Sequence, residues 1–253
     1  MFLLRDFSCL CAGARGESQL SAPPSDPGDV NDPLHALVHA VGPEHDDCQS
    51  SMVDHAAAAG FPTVGRDAGG VLRLLARLVD ARDVFEFGSG FGYSASWFAR
   101  GMREGRVVLT EYDDDELALA RDFLDGTYDV EFAFESGDAM AAFERYDGPF
   151  DVVLLDHEGV RYAPALARVR SKLRPGGVVV ADNVATGPVD TETLVAMLSD
   201  DDYADPPTRD ASWDVDTTTE GIGVYLDLVR SDPGFETTLL PVGEGLAVSV
   251  RVE

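Results

Sequence analysis

Lysine is almost missing from this chain. Lys172 is the only one, and arginine supplies the rest of the 19 basic residues. Against them stand 46 aspartates and glutamates, for a formal net charge of −27 at pH 7 over 253 residues. So negative a chain repels phosphate backbones and anionic bilayers. No local basic patch offsets this, so neither nucleic acid nor a membrane is expected as a partner. Carboxylates in excess with almost no lysine suit a cytoplasm of multimolar salt, where screening relieves self-repulsion. A high-GC genome that favours arginine is the plainer source of the same bias. Cysteine is scarce as well: Cys9, Cys11 and Cys48 all fall in the first fifth of the chain. An odd, sparse count argues against a disulfide framework and for a reducing, cytoplasmic setting. Cys9 and Cys11 with His35, His39 and His45 match no standard zinc spacing. No apolar run reaches the ~18 residues of a membrane span. Arg5 and Asp6 interrupt the first apolar stretch, which makes it a poor secretion signal.

What is present is core material. The chain is 45% hydrophobic, which excludes disorder throughout. Residues 1–31 are rich in Ser, Pro, Gly and Asp and read as a flexible tail, or as a start placed too early. Residues 32–66 read as N-terminal helices, around 33–41 and 47–59, with Asp32 capping and Pro33 in the first turn. These helices are a candidate homodimer surface. The main domain is expected over 67–253, with a helical pattern from Val71 to Val79. Beyond residue 83, apolar runs alternate with helical stretches. The runs are 84–87, 107–110, 130–134, 151–155 and 178–182; the helices fall near 93–103, 114–125, 138–144 and 161–173. Continuous apolar strands separated by helices indicate parallel strands covered on both faces, the doubly wound α/β class with a Rossmann-like sheet. Helices near 191–199 and 218–230 follow. Runs at 235–240 and 246–252 then close the sheet as an antiparallel hairpin.

The first strand runs into GSGFGYSA. Gly88, Ser89 and Gly90 form a tight turn that lets a ligand approach the backbone, and the helix from Tyr93 and Ser94 offers free N–H groups. A plain tight turn is the structural alternative. Glu86, inside the strand, would face a cationic or N–H-rich group and would repel a pyrophosphate. Glu111 ends the second strand, where an acidic residue accepts ribose hydroxyls. A ribose without a diphosphate, beside a positive centre, describes S-adenosylmethionine better than NAD. Asp138 and Ala139 follow the third strand, where an adenine edge would lie. Asp138 reads equally as an acceptor for the adenine amino group or as a helix N-cap. Asp156 ends the fourth strand, and Asp182 and Asn183 end the fifth. Two carboxylates and an amide oxygen at one sheet edge make a hard ligand set suited to Mg²⁺ or a similar ion; capping of the loops is the alternative.

VGRDAGG, EFGSGFGYSA, LLDHEGVRYAP, VVVADNV and PVGEGLAVSVRV together resemble the cation-dependent O-methyltransferases, the group that holds catechol and caffeoyl-CoA O-methyltransferases. The resemblance covers roughly residues 60–253. It implies that Val64, Glu86, Gly88, Tyr93, Ser94, Glu111 and His157 contact the cofactor, and that Asp156, Asp182 and Asn183 hold a metal that chelates two vicinal hydroxyls. It also exposes a departure. Where the family carries a lysine general base, three residues after Asp156, this chain has Gly159. Arg161 does not give up its proton at neutral pH. His157 is a candidate base by its intrinsic pKa, although the resemblance packs it against the adenine; the metal alone, or a loop residue, is the alternative. Acceptor choice is expected from the helices before residue 66 and from loop 185–216, where Trp213 either stacks on an aromatic acceptor or packs on the surface.

The expected activity is methyl transfer from S-adenosylmethionine to a hydroxyl of a small catechol-like or phenolic acceptor held by a divalent metal. The alternatives are a metal-independent methyltransferase with another acceptor, a cofactor-binding module without catalysis, and, more remotely, an NAD enzyme.

Overall fold

The structure is a computed structural model that describes residues 33–199 and 217–253. The expected tail, the Asp32 cap and Trp213 lie outside these residues. The elements are α1 (Pro33–Val41), α2 (Asp47–Ala59), α3 (Gly65–Leu78), β1 (Asp83–Phe87), α4 (Tyr93–Gly101), β2 (Arg106–Glu111), α5 (Asp114–Leu124), β3 (Glu131–Ser136), α6 (Ala139–Glu144) and β4 (Phe150–Leu155). A 3₁₀ turn (Gly159–Arg161), α7 (Tyr162–Lys172), β5 (Leu173–Ala181), α8 (Thr191–Ser199), α9 (Thr217–Ser231), β6 (Phe235–Leu240) and β7 (Leu246–Arg251) complete them. The seven strands form one sheet in the order β3-β2-β1-β4-β5-β7-β6. β1 to β5 pair in parallel, and β7 pairs antiparallel with β5 and β6. The doubly wound α/β sheet with a closing hairpin is as expected.

Strand alternation sends successive side chains to opposite faces. Phe85 and Phe87 pack on one side with Phe143, Phe150, Tyr162 and Tyr225. Val84 packs on the other with Met52, Leu72 and Trp97. Glu86 shares Val84's face and is fully buried there. Strand order reverses between β1 and β4, and such a reversal opens a crevice at the carboxyl ends of the strands. Register makes that crevice acidic. Leu155 pairs with Ala181, so Asp156 and Asp182 follow side by side. Ala181 in turn pairs with Ala247, which brings the β6–β7 turn to the same edge.

Two boundaries differ from the sequence expectation by about five residues or more. The helix expected from Val71 starts at Gly65 and runs through Gly69 and Gly70. Two glycines weaken a helix on propensity alone, but a Cβ at Gly69 would overlap the Trp97 indole, so packing of α3 on α4 demands glycine. The fifth strand begins at Leu173 instead of residue 178, and Asp182 lies just beyond it. At the N-terminal end α2 contributes Met52 and Ala56 to the core. α1 buries no residue and leaves Leu34, Leu37 and Val41 exposed. It is tied to α3 where His35 and His39 meet Asp67, at 3.6 and 3.1 Å. Among the described residues no helix is long and apolar enough to cross a membrane.

Gly69→Ala is expected to destabilise the fold by about 1–3 kcal/mol, the usual cost of overpacking, despite alanine's better helix propensity. A denaturation midpoint equal to or above that of the parent would contradict the Trp97 contact.

Candidate active site

The site is built where β1 ends. Gly88, Gly90 and Gly92 have φ of 84°, 48° and 86°, a left-handed backbone that favours glycine. Gly88 has a second constraint: a Cβ there would overlap the Asp156 carbonyl oxygen. The Ser89 N–H donates to Thr110 O at 3.0 Å, and the Asp156 N–H donates to Phe87 O at 2.9 Å. The turn is thereby fastened to β2 on one side and β4 on the other.

A cavity of about 800 Å³ opens over this turn. Val64, Gly88, Ser89, Gly90, Tyr93, Ser94, Glu111, Asp138, Ala139, Asp156, His157, Asp182 and Asn183 all line it. Of the residues expected from the sequence, only Glu86 does not; it lies beneath the turn. Both Glu86 carboxylate oxygens are buried without a hydrogen-bond partner. Burial pushes its pKa up to about 8, with the nearby Ser94 hydroxyl opposing. A buried carboxylate left in this state fits a cationic partner brought from outside.

Glu111 acts first as a clasp. Its Oε2 accepts from Gly90 N at 2.9 Å, and its Oε1 accepts from Tyr112 N and Asp113 N at 2.8 and 3.0 Å. Oε1 is thereby saturated, while Oε2 keeps one further lone pair. Tyr93 donates or accepts through its hydroxyl to His45 Nε2, 2.7 Å away, and this joins the cavity wall to the α1–α2 loop. Asp138 caps α6 by accepting from Ala141 N at 2.8 Å, and its other oxygen lies 2.5 Å from Arg161 Nη2. That guanidinium holds the Asp138 carboxyl below the usual range. The cap reading of Asp138 therefore holds, and the residue still faces the cavity.

His157 stacks on Tyr162 at 5.3 Å and lies against Phe87, also at 5.3 Å. Both ring nitrogens are buried without partners. Burial pushes its pKa down to about 4, so the ring is neutral at pH 7 and a weak acceptor for a hydroxyl proton. Gly159, where a lysine was absent in the sequence, is buried and does not line the cavity. A Cβ there would lie 3.0 Å from Ile222 Cδ1, and one at Gly221 would lie 2.5 Å from Val160 Cα. The 3₁₀ turn and α9 thus meet nearly backbone to backbone.

At the opposite end Asp156 and Asp182 are both pushed upward, chiefly by burial. Asp156 is raised well above the carboxylate range, with Asp182 and Glu86 adding repulsion. Asp182 is pushed up to about 7, against the Asn183 N–H that donates to its Oδ1 at 2.8 Å. Asn183 adopts a left-handed φ of 57°, which asparagine tolerates better than most side chains. Its Nδ2 donates to Glu244 Oε2 at 2.6 Å, which leaves Oδ1 as the free end. Among the described residues no three His, Cys, Asp or Glu side chains form a chelating group. Two crowded carboxylates without a cationic neighbour, plus an amide oxygen, nonetheless fit a hard cation.

Sequence reasoning missed several cavity residues. Thr110 donates from its hydroxyl to Glu86 O at 2.6 Å, and the ring of Phe61 stands over Gly90. Tyr112 forms an exposed aromatic rim, signalled only by its place after a strand-ending acid. Glu244 sits in a Gly-Glu-Gly turn whose local pattern signals a hairpin and not a site carboxylate.

The family model described as O-methyltransferase matches residues 50–252. The chain belongs to the O-methyltransferase family. It is similar to a catechol O-methyltransferase of Niastella koreensis, 32% identical over 158 residues, covering 59% of this chain and 71% of that protein. Among solved structures it is similar to the O-methyltransferase of Bacillus cereus in complex with SAH. That pair has a TM-score of 0.68 and 25% identity, covering 86% of this chain and 96% of that one. Cofactor-bound Rv0187 from MTB superposes with a TM-score of 0.69 and 27% identity, over 87% and 96%. The family resemblance carried by the sequence motifs is thereby established for this O-methyltransferase.

Because Glu111 fastens three backbone amides, Glu111→Ala is expected to cost about 2 kcal/mol of stability even without a ligand, since hydrogen bonds to charged groups are worth roughly 1.5–3 kcal/mol. An unchanged chemical denaturation midpoint would remove the clasp role.

Proposed function

We propose that this O-methyltransferase moves a methyl group from S-adenosylmethionine to a hydroxyl of a small catechol-like or phenolic acceptor, with Mg²⁺ or a similar divalent cation at Asp156, Asp182 and Asn183. One observation carries the reading. A single cavity joins Glu111, beside an unpartnered buried Glu86, to the Asp156–Asp182–Asn183 edge across the β1 turn. The SAH complex of the similar Bacillus cereus protein supports the donor, and the similar catechol O-methyltransferase supports the acceptor class.

The cofactor, when bound, supplies an activated sulfonium methyl for in-line displacement. The cation, when bound, lowers the pKa of the acceptor hydroxyl. The chain's own residues do the rest. Glu111 takes a ribose hydroxyl with the one lone pair left on its Oε2. Glu86 supplies negative charge under the turn for the cationic end of the cofactor. Gly88 and Gly90 keep the turn free of side chains, so the donor lies close to the backbone. His157 stays neutral and packs as a flat wall. Asp156, Asp182 and Asn183 hold the acceptor end at a fixed distance from the donor end. Positioning of this kind supplies at most about 7–11 kcal/mol of barrier reduction, which suits a donor that is already activated. The position of Gly159 inside a packed contact favours one rival, a cofactor-binding module without turnover.

Glu86 gives a pH test with a definite sign. Its pKa near 8 keeps it mostly protonated at pH 7. A cation seated beside it ionises it, so cofactor binding at pH 7 should release close to one proton, and affinity should rise as pH climbs toward 8. Calorimetry in buffers of different ionisation enthalpy reads this directly, and buffer-independent heats would contradict it.

The reaction itself is tested by transfer of labelled methyl to a panel of catechols and phenols. The assay is run in high KCl, which screens the chain's net charge of −27. Product that needs Mg²⁺, disappears with a chelator and is lost in Asp182→Ala is the expected result. Chelator-resistant product would indicate a metal-independent enzyme. Cofactor binding with no product from any acceptor would favour the non-catalytic module.

A further inference from the structure

The cavity is charged almost wholly one way. Eight acidic residues line it, and the only Lys or Arg among the lining residues is Arg161. Arg161 is already engaged: its Nη2 lies 2.5 Å from Asp138 Oδ2 and its Nη1 lies 3.4 Å from Glu158 Oε2. The cavity therefore offers no free cation, among the described residues, to receive an anionic substituent of a substrate.

Glu244 concentrates this bias at the acceptor end. Its backbone carbonyl accepts from the N–H groups of Ala185 and Thr186, both at 3.0 Å, which holds the β6–β7 turn against the segment after β5. Its side chain accepts from Asn183 Nδ2 at 2.6 Å and borders the cavity beside Asp182 and Pro188. Gly187 leaves room for it, since a Cβ there would overlap the Glu244 carboxylate. A divalent cation held by Asp156 and Asp182 would balance those two charges and leave that of Glu244 unmatched. Glu244 is itself solvent-exposed, so its pull on a nearby substituent is that of a water-screened charge pair.

We infer that this site selects acceptors by charge: a catechol bearing an ammonium is preferred, a neutral one is accepted, and one bearing a carboxylate is disfavoured, with Glu244 setting the order. The inference rests on the methyl-transfer reading above for the identity of the reaction, but its binding component is separable.

Three probes that differ mainly in charge test it: dopamine, 4-methylcatechol and 3,4-dihydroxybenzoate. Two quantities are measured at the lowest KCl that keeps the full chain folded. One is kcat/KM for labelled methyl transfer; the other is Kd by calorimetry with S-adenosylhomocysteine and Mg²⁺ present. Dopamine should exceed dihydroxybenzoate by about fivefold or more in both, as expected of a water-screened charge pair about 4 Å apart. The ratio should shrink as KCl is raised, because salt screens it. Glu244→Gln should narrow the ratio roughly threefold or more, as loss of the full charge requires. A carboxylate probe that binds or reacts as well as the amine overturns the inference. A ratio unmoved in Glu244→Gln overturns the role given to Glu244. Binding in the expected order without turnover of any probe supports charge selection and sinks the methyl-transfer reading alone. Failure of all three to bind overturns both.

Discussion

The contact on which the site depends is the backbone junction between the end of β1 and the end of β4. Phe87 O accepts the Asp156 N–H at 2.9 Å, and Gly88 lies so close to the Asp156 carbonyl that no Cβ fits between them. This junction joins the two halves of the sheet where strand order reverses. On one side it carries the glycine turn and its clasp, Glu111. On the other it carries Asp156 and, one strand over, Asp182. The proposed donor and acceptor ends are therefore fixed relative to each other by main chain, not by flexible side chains.

Electrostatics built on that junction is unfavourable by itself. Glu86, Asp156 and Asp182 are carboxyl groups taken out of water with no cationic side chain beside them, and burial raises all three. Burial of an uncompensated charge is costly, so such groups take up protons or await a cationic partner. The arrangement is costly for an empty protein and favourable for one that binds cations, as expected where function and stability diverge.

Glycine packing accounts for the feature that the family resemblance left unexplained. Gly159 and Gly221 let the 3₁₀ turn after β4 approach α9 nearly backbone to backbone, with Ile222 filling the remaining space. A side chain at 159 would press on the Ile222 and Thr218 side chains of α9, whose nearest atoms lie 3.0 and 3.2 Å from its Cβ. The same device appears at Gly69, where the Trp97 ring takes the place of a side chain.

The order of elements was legible in the sequence, because continuous apolar strands and helical periodicity impose the doubly wound sheet. The ends of β1, β2, β4 and β5 were legible too, since each apolar run stops at a glycine or an acid. The family was readable from the same stretches, and all but one of the expected site residues border one cavity. Other features depended on contacts distant in sequence. Nothing local in Gly69-Gly70 indicates a helix interior, because the Trp97 ring that demands glycine comes from the next helix. Glu244 looks like a turn residue until antiparallel pairing of β7 with β5 brings it against Asn183. Glu86 looks like a cavity residue until strand alternation turns it beneath the turn, on the face shared with Val84. Local pattern determined which elements form and where they stop; side-chain partners across strands and helices were decided only by register and packing.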